Sequence, residues 1–166
     1  MPLTYSSYLK LDELLSLQRP LSDGPEHDET LFIVIHQVYE LWFKEILHEL
    51  DYLETLLARA DTPRSLHTLR RVLTILKVVV AQLDVLETMT PLEFLSFRER
   101  LEKGSGFQSF QFRELEFVLG AKRLSAVAHY PEGSDARARL ERRLAAPTIW
   151  DAFLRLLSVR GYPVPA

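Results

Sequence analysis

Phe32, His36, Tyr39 and Phe43 recur at steps of four, three and four residues, which returns all four side chains to one side of a 3.6-residue helix. A histidine held among aromatic rings has two readings. It is a core residue bonded to a backbone carbonyl, or it is aimed into an aromatic pocket where it hydrogen-bonds one heteroatom of a flat ligand. The spacing leaves both open. Phe94 and Arg98 stand one turn apart in a second segment, so a ring and a guanidinium point the same way. Arginine is permanently charged and its fork matches a carboxylate bidentately, which suits an amino acid's α-carboxylate. The competing reading is a surface arginine paired with Glu102, four residues on, and on spacing alone that pairing is the stronger.

Other chemical signals are weaker. Glu45 and His48 have the Glu-x-x-His spacing of helical di-iron bundles, but no other glutamate is followed three residues later by histidine. Such sites need a second copy, so this pair reads as a solvated helix edge. His27, between Glu26 and Asp28, reads as a helix start. The turn Gly104 to Phe107 could cradle an anion ahead of the following helix, although most such turns only connect. GxGxxG, P-loop, nucleophile-elbow and HExxH patterns are absent, which leaves hydrolases and nucleotide enzymes without support.

The elements that must hold these residues are helical, because apolar residues recur at three- and four-residue spacing and strict alternation never persists. The sequence predicts an all-α helical bundle, one domain over 1–166, built on a long spine helix. A first helix is expected from Ser6 to Gln18, ended by Pro20, Gly24 and Pro25. The spine runs from His27 or Asp28 to Ala58, roughly 45 to 50 Å. A third helix, with Pro63 in its first turn, runs to Thr88 and packs antiparallel to the spine. Thr90, Pro91 and Glu93 form a capping box that opens a short helix to Leu101. Ser105 is expected to cap the next helix, which Gly120 ends. Weaker helices follow near 121–128, 135–145 and 148–159, before a non-helical tail.

Composition narrows the classes. The 166 residues are 47% hydrophobic, enough for a core. A net charge of −3 from 20 basic and 23 acidic residues shows no patch for nucleic acid or an anionic membrane. The absence of cysteine removes disulfides, thiolate metal sites and cysteine nucleophiles. The longest strongly apolar run, Leu31 to Ile35, is too short to cross a bilayer, so a soluble, cytoplasmic protein is expected.

Three segments together are far more specific than any one: Leu3 to Gln18, His27 to Asp51, and Val85 to Phe117. In order and separation they resemble the tryptophan 2,3-dioxygenase family, most closely its N-terminal half. The resemblance implies an all-helical, homotetrameric, iron-containing haem b enzyme of the kynurenine pathway. It is an oxidoreductase of tryptophan catabolism that adds O2 across the indole C2–C3 bond of L-tryptophan, giving N-formyl-L-kynurenine. By position, His36 resembles the distal histidine that hydrogen-bonds the indole N–H, and Phe32 the aromatic beside the ring. Arg98 resembles the carboxylate-binding arginine, with Phe94 one turn before it. Ser105 and Gly106 resemble the turn lining the haem and substrate cavity. Tyr5, Tyr8 and Leu9 resemble a segment that reaches a neighbouring subunit's site. The family's proximal haem ligand lies in a C-terminal half, and His27, His48, His67 and His129 do not resemble its surroundings, so the axial ligand is unknown. A second reading is a non-catalytic helical relative that binds an aromatic amino acid or a partner protein.

Overall fold

The computed structural model describes residues 2–24, 26–102, 104 and 108–164. Every described element is helical: α1 (Tyr5–Leu9), α2 (Leu11–Leu14), α3 (His27–Ala58), α4 (Thr62–Leu86), α5 (Pro91–Arg98) with a 3-10 turn at Glu99–Leu101, α6 (Phe110–Val118), α7 (Leu124–Val127), α8 (Asp135–Ala145) and α9 (Ile149–Val159). The all-α class read from periodicity is what the chain adopts. The spine is α3, and Asp61 starts α4 by accepting the Arg64 amide at 3.2 Å. The expected capping box is present, with the Thr90 amide on Glu93 Oε2 at 2.7 Å and the Glu93 amide on the Thr90 hydroxyl at 3.3 Å.

Two expectations change. The first helix is not continuous from Ser6 to Gln18: it breaks at Lys10, which adopts a left-handed conformation at φ 53°. Neither α1 nor α2 contains a buried residue. Most helical stability comes from packing an apolar face, so a short segment without one has nothing to hold it straight. The helix expected to be capped by Ser105 is instead capped by Ser109, whose hydroxyl accepts the Phe112 amide at 3.1 Å. Ser105 itself lies outside the described residues. Gly120, at φ 108°, ends α6 as expected, with the Ala121 amide closing back on the Glu116 carbonyl at 2.8 Å.

Contacts group the chain into two compact units, one of Met1–Val38 with Gln82–Gly104 and one of Tyr39–Ala81 with Ser105–Ala166. In the second, Ile46, Leu50 and Leu53 of α3 form a core with Val72 and Ile75 of α4, Leu115 and Val118 of α6, and Ala152 and Leu156 of α9. Phe117, Val127 and Leu140 make a smaller cluster under α6, α7 and α8. A charged network crosses this unit. Glu114, 2% exposed, takes two bonds from Arg139 at 2.7 and 3.2 Å. Arg143 lies 3.6 Å from the same carboxylate and binds Asp51 through both terminal nitrogens at 2.6 and 2.9 Å. In the first unit the deepest groups are Phe97, Ile35 and Glu29, at 0, 5 and 1% exposed.

Candidate functional site

Within the first unit, the opening turns of α3 and all of α5 bring four of the sequence-selected residues together. His36 Nδ1 lies 2.7 Å from the Phe32 carbonyl oxygen one turn back. A carbonyl only accepts, so Nδ1 carries the proton, and in that tautomer Nε2 is the nitrogen able to accept. Among the described residues Nε2 has no partner. The carbonyl bond of the first reading is present, and the half-buried ring lies tilted 37° against Phe32, with centroids 4.1 Å apart.

Helix α5 places Phe94, Phe97 and Arg98 on one face, three and four residues apart. Phe94 lies 5.8 Å from Phe32, and the Arg98 guanidinium carbon stands 6.0 Å from the Phe94 centroid. Arg98, Phe94, Phe32 and His36 thus form an unbroken sequence of neighbours from a cation to a hydrogen-bond acceptor. The expected Glu102 partner is present in altered form: Arg98 Nη1 donates to the Glu102 backbone carbonyl at 3.2 Å. Among the described residues no carboxylate lies within ion-pair distance of Arg98. A half-buried guanidinium with only a neutral partner retains its full attraction for an anionic ligand.

Sequence spacing does not single out Phe97. It is wholly buried behind the half-buried rings of Phe32 and Phe94, 5.5 Å from each, and its i+3 spacing from Phe94 is the one available signal. Glu29 is missed for a different reason, because an acid in a first helical turn reads as a dipole partner. Its carboxylate accepts the Leu21 amide at 2.6 Å and the Ser22 amide at 3.1 Å, fastening the segment after α2 to the spine one turn before Phe32. Gln37, beside His36, adds a second fastening by bonding Gln18 and the Leu17 carbonyl.

Burial alone would raise the Glu29 pKa, but the Ser22 side chain, the two amides and the Arg100 charge hold it below its ordinary value. The Ser22 hydroxyl makes no formed hydrogen bond, so the amides carry most of this effect. A folded-state pKa below the unfolded one stabilises the fold above about pH 4.5, and that stability is lost as pH falls through the folded value. Glu29→Gln is expected to cost about 1 to 3 kcal/mol at pH 7, with the gap closing in acid. Urea unfolding at pH 7 and at pH 3 checks this, and parallel losses at both would assign the effect to shape alone.

Tyr5 and Tyr8 are 76 and 71% exposed, and among the described residues no ring contact joins them or Leu9 to the aromatic cluster. Ser105 and Gly106 lie outside the described residues. Of the Glu-x-x-His pair, Glu45 is half-buried and His48 exposed.

The haem implied by the resemblance needs an axial ligand facing an enclosed cavity. His27, His48, His67 and His129 are all exposed. His67 Nε2 lies 3.3 Å from an Arg71 nitrogen, and His129 lines an open cleft of about 780 Å³ with Arg113, Arg123 and Tyr130. In that cleft both arginines already bind Glu116. Among the described residues none of these four exposed histidines fits an axial haem ligand.

The sequence profile described as tryptophan 2,3-dioxygenase covers residues 1–147. A protein of that name from Herpetosiphon aurantiacus is 62% identical over 99% of this chain and 63% of its own length. Those from Anaeromyxobacter sp. strain K and Caulobacter vibrioides are 58 and 48% identical, each over 98% of this chain and 61% of their own length. The chain therefore spans about three-fifths of the length of these relatives. Identity this high over almost every residue here, together with the all-helical fold, leaves one conclusion: the chain belongs to the tryptophan 2,3-dioxygenase family.

Proposed function

We propose that this chain supplies the substrate-reading part of a tryptophan 2,3-dioxygenase, an oxidoreductase that cleaves the indole ring of L-tryptophan with O2 to give N-formyl-L-kynurenine. The observation that carries the reading is the continuous run from Arg98 through Phe94 and Phe32 to His36. Tryptophan offers the complement: a carboxylate at one end, a flat apolar body, and one N–H donor at the other. Arg98 takes the carboxylate, the two rings cover the body and exclude water, and His36 Nε2 accepts the indole N–H. Holding both ends fixes the indole for attack and lowers the entropic barrier to reaction. Haem b would supply the oxygen chemistry when bound, while Arg98, Phe94, Phe32 and His36 would hold the substrate beside it.

Assembly as a homotetramer belongs to the same proposal. Its support is the exposure of Tyr5, Tyr8 and Leu9, apolar side chains suited to burial in a neighbouring subunit. A cytoplasmic location also belongs to it, and among the described residues no helix is long and apolar enough to cross a membrane.

The test of the substrate assignment uses 1-methyl-L-tryptophan, which keeps the carboxylate and ring but lacks the N–H. In haem-loaded protein containing this chain, absorption titration is expected to show roughly fivefold tighter binding of L-tryptophan than of the methylated analogue, the worth of one hydrogen bond. His36→Ala is expected to abolish that preference. Equal affinities in the unsubstituted protein would exclude Nε2 as the indole acceptor.

A further inference from the structure

Phe97 precedes Arg98 in the chain, and among the described residues it is the one side chain that meets both of the central rings edge-on. It stands at 62° to Phe32 and 89° to Phe94, with both centroids 5.5 Å away, while Phe32 and Phe94 are 5.8 Å apart. The three rings form a nearly equilateral triangle, and the buried corner is Phe97. Edge-to-face pairs at these distances are favoured by the ring quadrupoles, and each fixes the tilt of its partner as well as its distance.

Phe32 and His36 ride on α3, Phe94, Phe97 and Arg98 on α5, and the Phe97 ring meets Phe32 across the two helices. We propose that Phe97 is a positioning residue that sets the separation of the carboxylate-reading Arg98 from the indole-reading His36, and thereby selects a bicyclic over a monocyclic aromatic amino acid. This rests on the substrate reading above. A smaller side chain lets α5 settle toward α3, because cores close partly around a deleted group. The two ends then draw together, and a ligand of tryptophan's length fits less well than one of phenylalanine's.

Two readouts on Phe97→Leu separate this proposal from the reading it rests on. In the chain itself, the His36 Cε1–H proton senses the Phe32 ring 4.1 Å away. Its NMR signal is expected to move in Phe97→Leu, which shortens the side chain and removes the ring. Phe117→Leu, another wholly buried phenylalanine outside the ring cluster, serves as the control for general loss of packing and is expected to leave the signal in place. In haem-loaded protein, the ratio of L-tryptophan to L-phenylalanine affinity is expected to fall roughly tenfold in Phe97→Leu, the scale set by a change of one or two methylenes in a pocket. It is expected to hold in Phe117→Leu. If Phe97→Leu matches Phe117→Leu in both readouts, Phe97 is packing alone and the proposal is overturned. If the unsubstituted protein takes no tryptophan, the substrate reading fails and selection by Phe97 fails with it, while the His36 signal still decides whether Phe97 positions the rings. Should Phe97→Leu not fold, Phe97→Met, a side chain of nearly leucine's volume, takes its place: a moved His36 signal with a lowered ratio supports the proposal, and an unmoved signal with an unaltered ratio overturns it.

Discussion

Arg98→Ala is expected to weaken L-tryptophan binding by about 2 to 5 kcal/mol, the range for truncating one partner of a buried, hydrogen-bonded charge pair. Arg98 is half-buried, and among the described residues its one hydrogen-bond partner is a backbone carbonyl. Among the described residues no carboxylate pairs with Arg98 and would have to be released before a ligand binds, so the loss should fall toward the middle of that range. Arg98→Lys is expected to recover only part of it, since an ammonium keeps the charge and loses the bidentate fork. The Michaelis constant for L-tryptophan in haem-loaded protein measures this directly. An unchanged constant in Arg98→Ala would remove the residue from carboxylate recognition, and a full recovery in Arg98→Lys would show that charge alone matters. The fold should be little affected, because Arg98 makes a single 3.2 Å bond at the end of α5.

Glu114→Ala should act in the opposite way, on stability and not on binding. Its carboxylate is almost wholly buried and holds Arg139 by two bonds with Arg143 close beside. Breaking a buried pair from one side leaves a charge without compensation and typically costs about 3 to 5 kcal/mol. Arg139 is 41% exposed and can turn to water, which places the expected loss near the lower end, about 3 kcal/mol. Arg143 keeps Asp51, so α8 should stay joined to α3 while its hold on α6 weakens. Urea unfolding gives the loss, and the double substitution with Arg139→Ala should be milder than the two single losses summed. Strict additivity would mean that the two groups do not depend on each other.

Much of this is legible in the sequence because it rests on local rules. The spacing of Phe32 and His36 needs only a helix to bring the rings together. Thr90 and Glu93 cap each other within one turn, so no distant residue has to cooperate. What escapes depends on more than one segment or on unusual backbone. A left-handed lysine at position 10 has no sequence signature, and the break there follows from the absence of anything for α1 and α2 to pack on. Ser105 and Ser109 both precede the same helix, and either is chemically able to cap it. Spacing pairs Arg98 with Glu102 correctly but through the wrong atom: the helix ends at Arg98, and Glu102 turns out at φ 47° and ψ −112°, which presents its carbonyl. Phe97 reads as ordinary core because its importance lies in which rings it backs.

The break at Lys10 carries a consequence for how the molecule breathes. With no buried side chain in α1 or α2, opening these turns exposes almost no new apolar surface, whereas opening α3 around Ile46 to Leu53 disrupts the main core. Amide protection should therefore rise steeply along the chain, from near zero at Tyr5 to the global value in the middle of the spine. If Tyr5, Tyr8 and Leu9 enter a neighbouring subunit, their ordering entropy is lost only at assembly and subtracts from its affinity. Subunits would then join more weakly than their buried area suggests, and would part at the N-terminus before any of them unfolds.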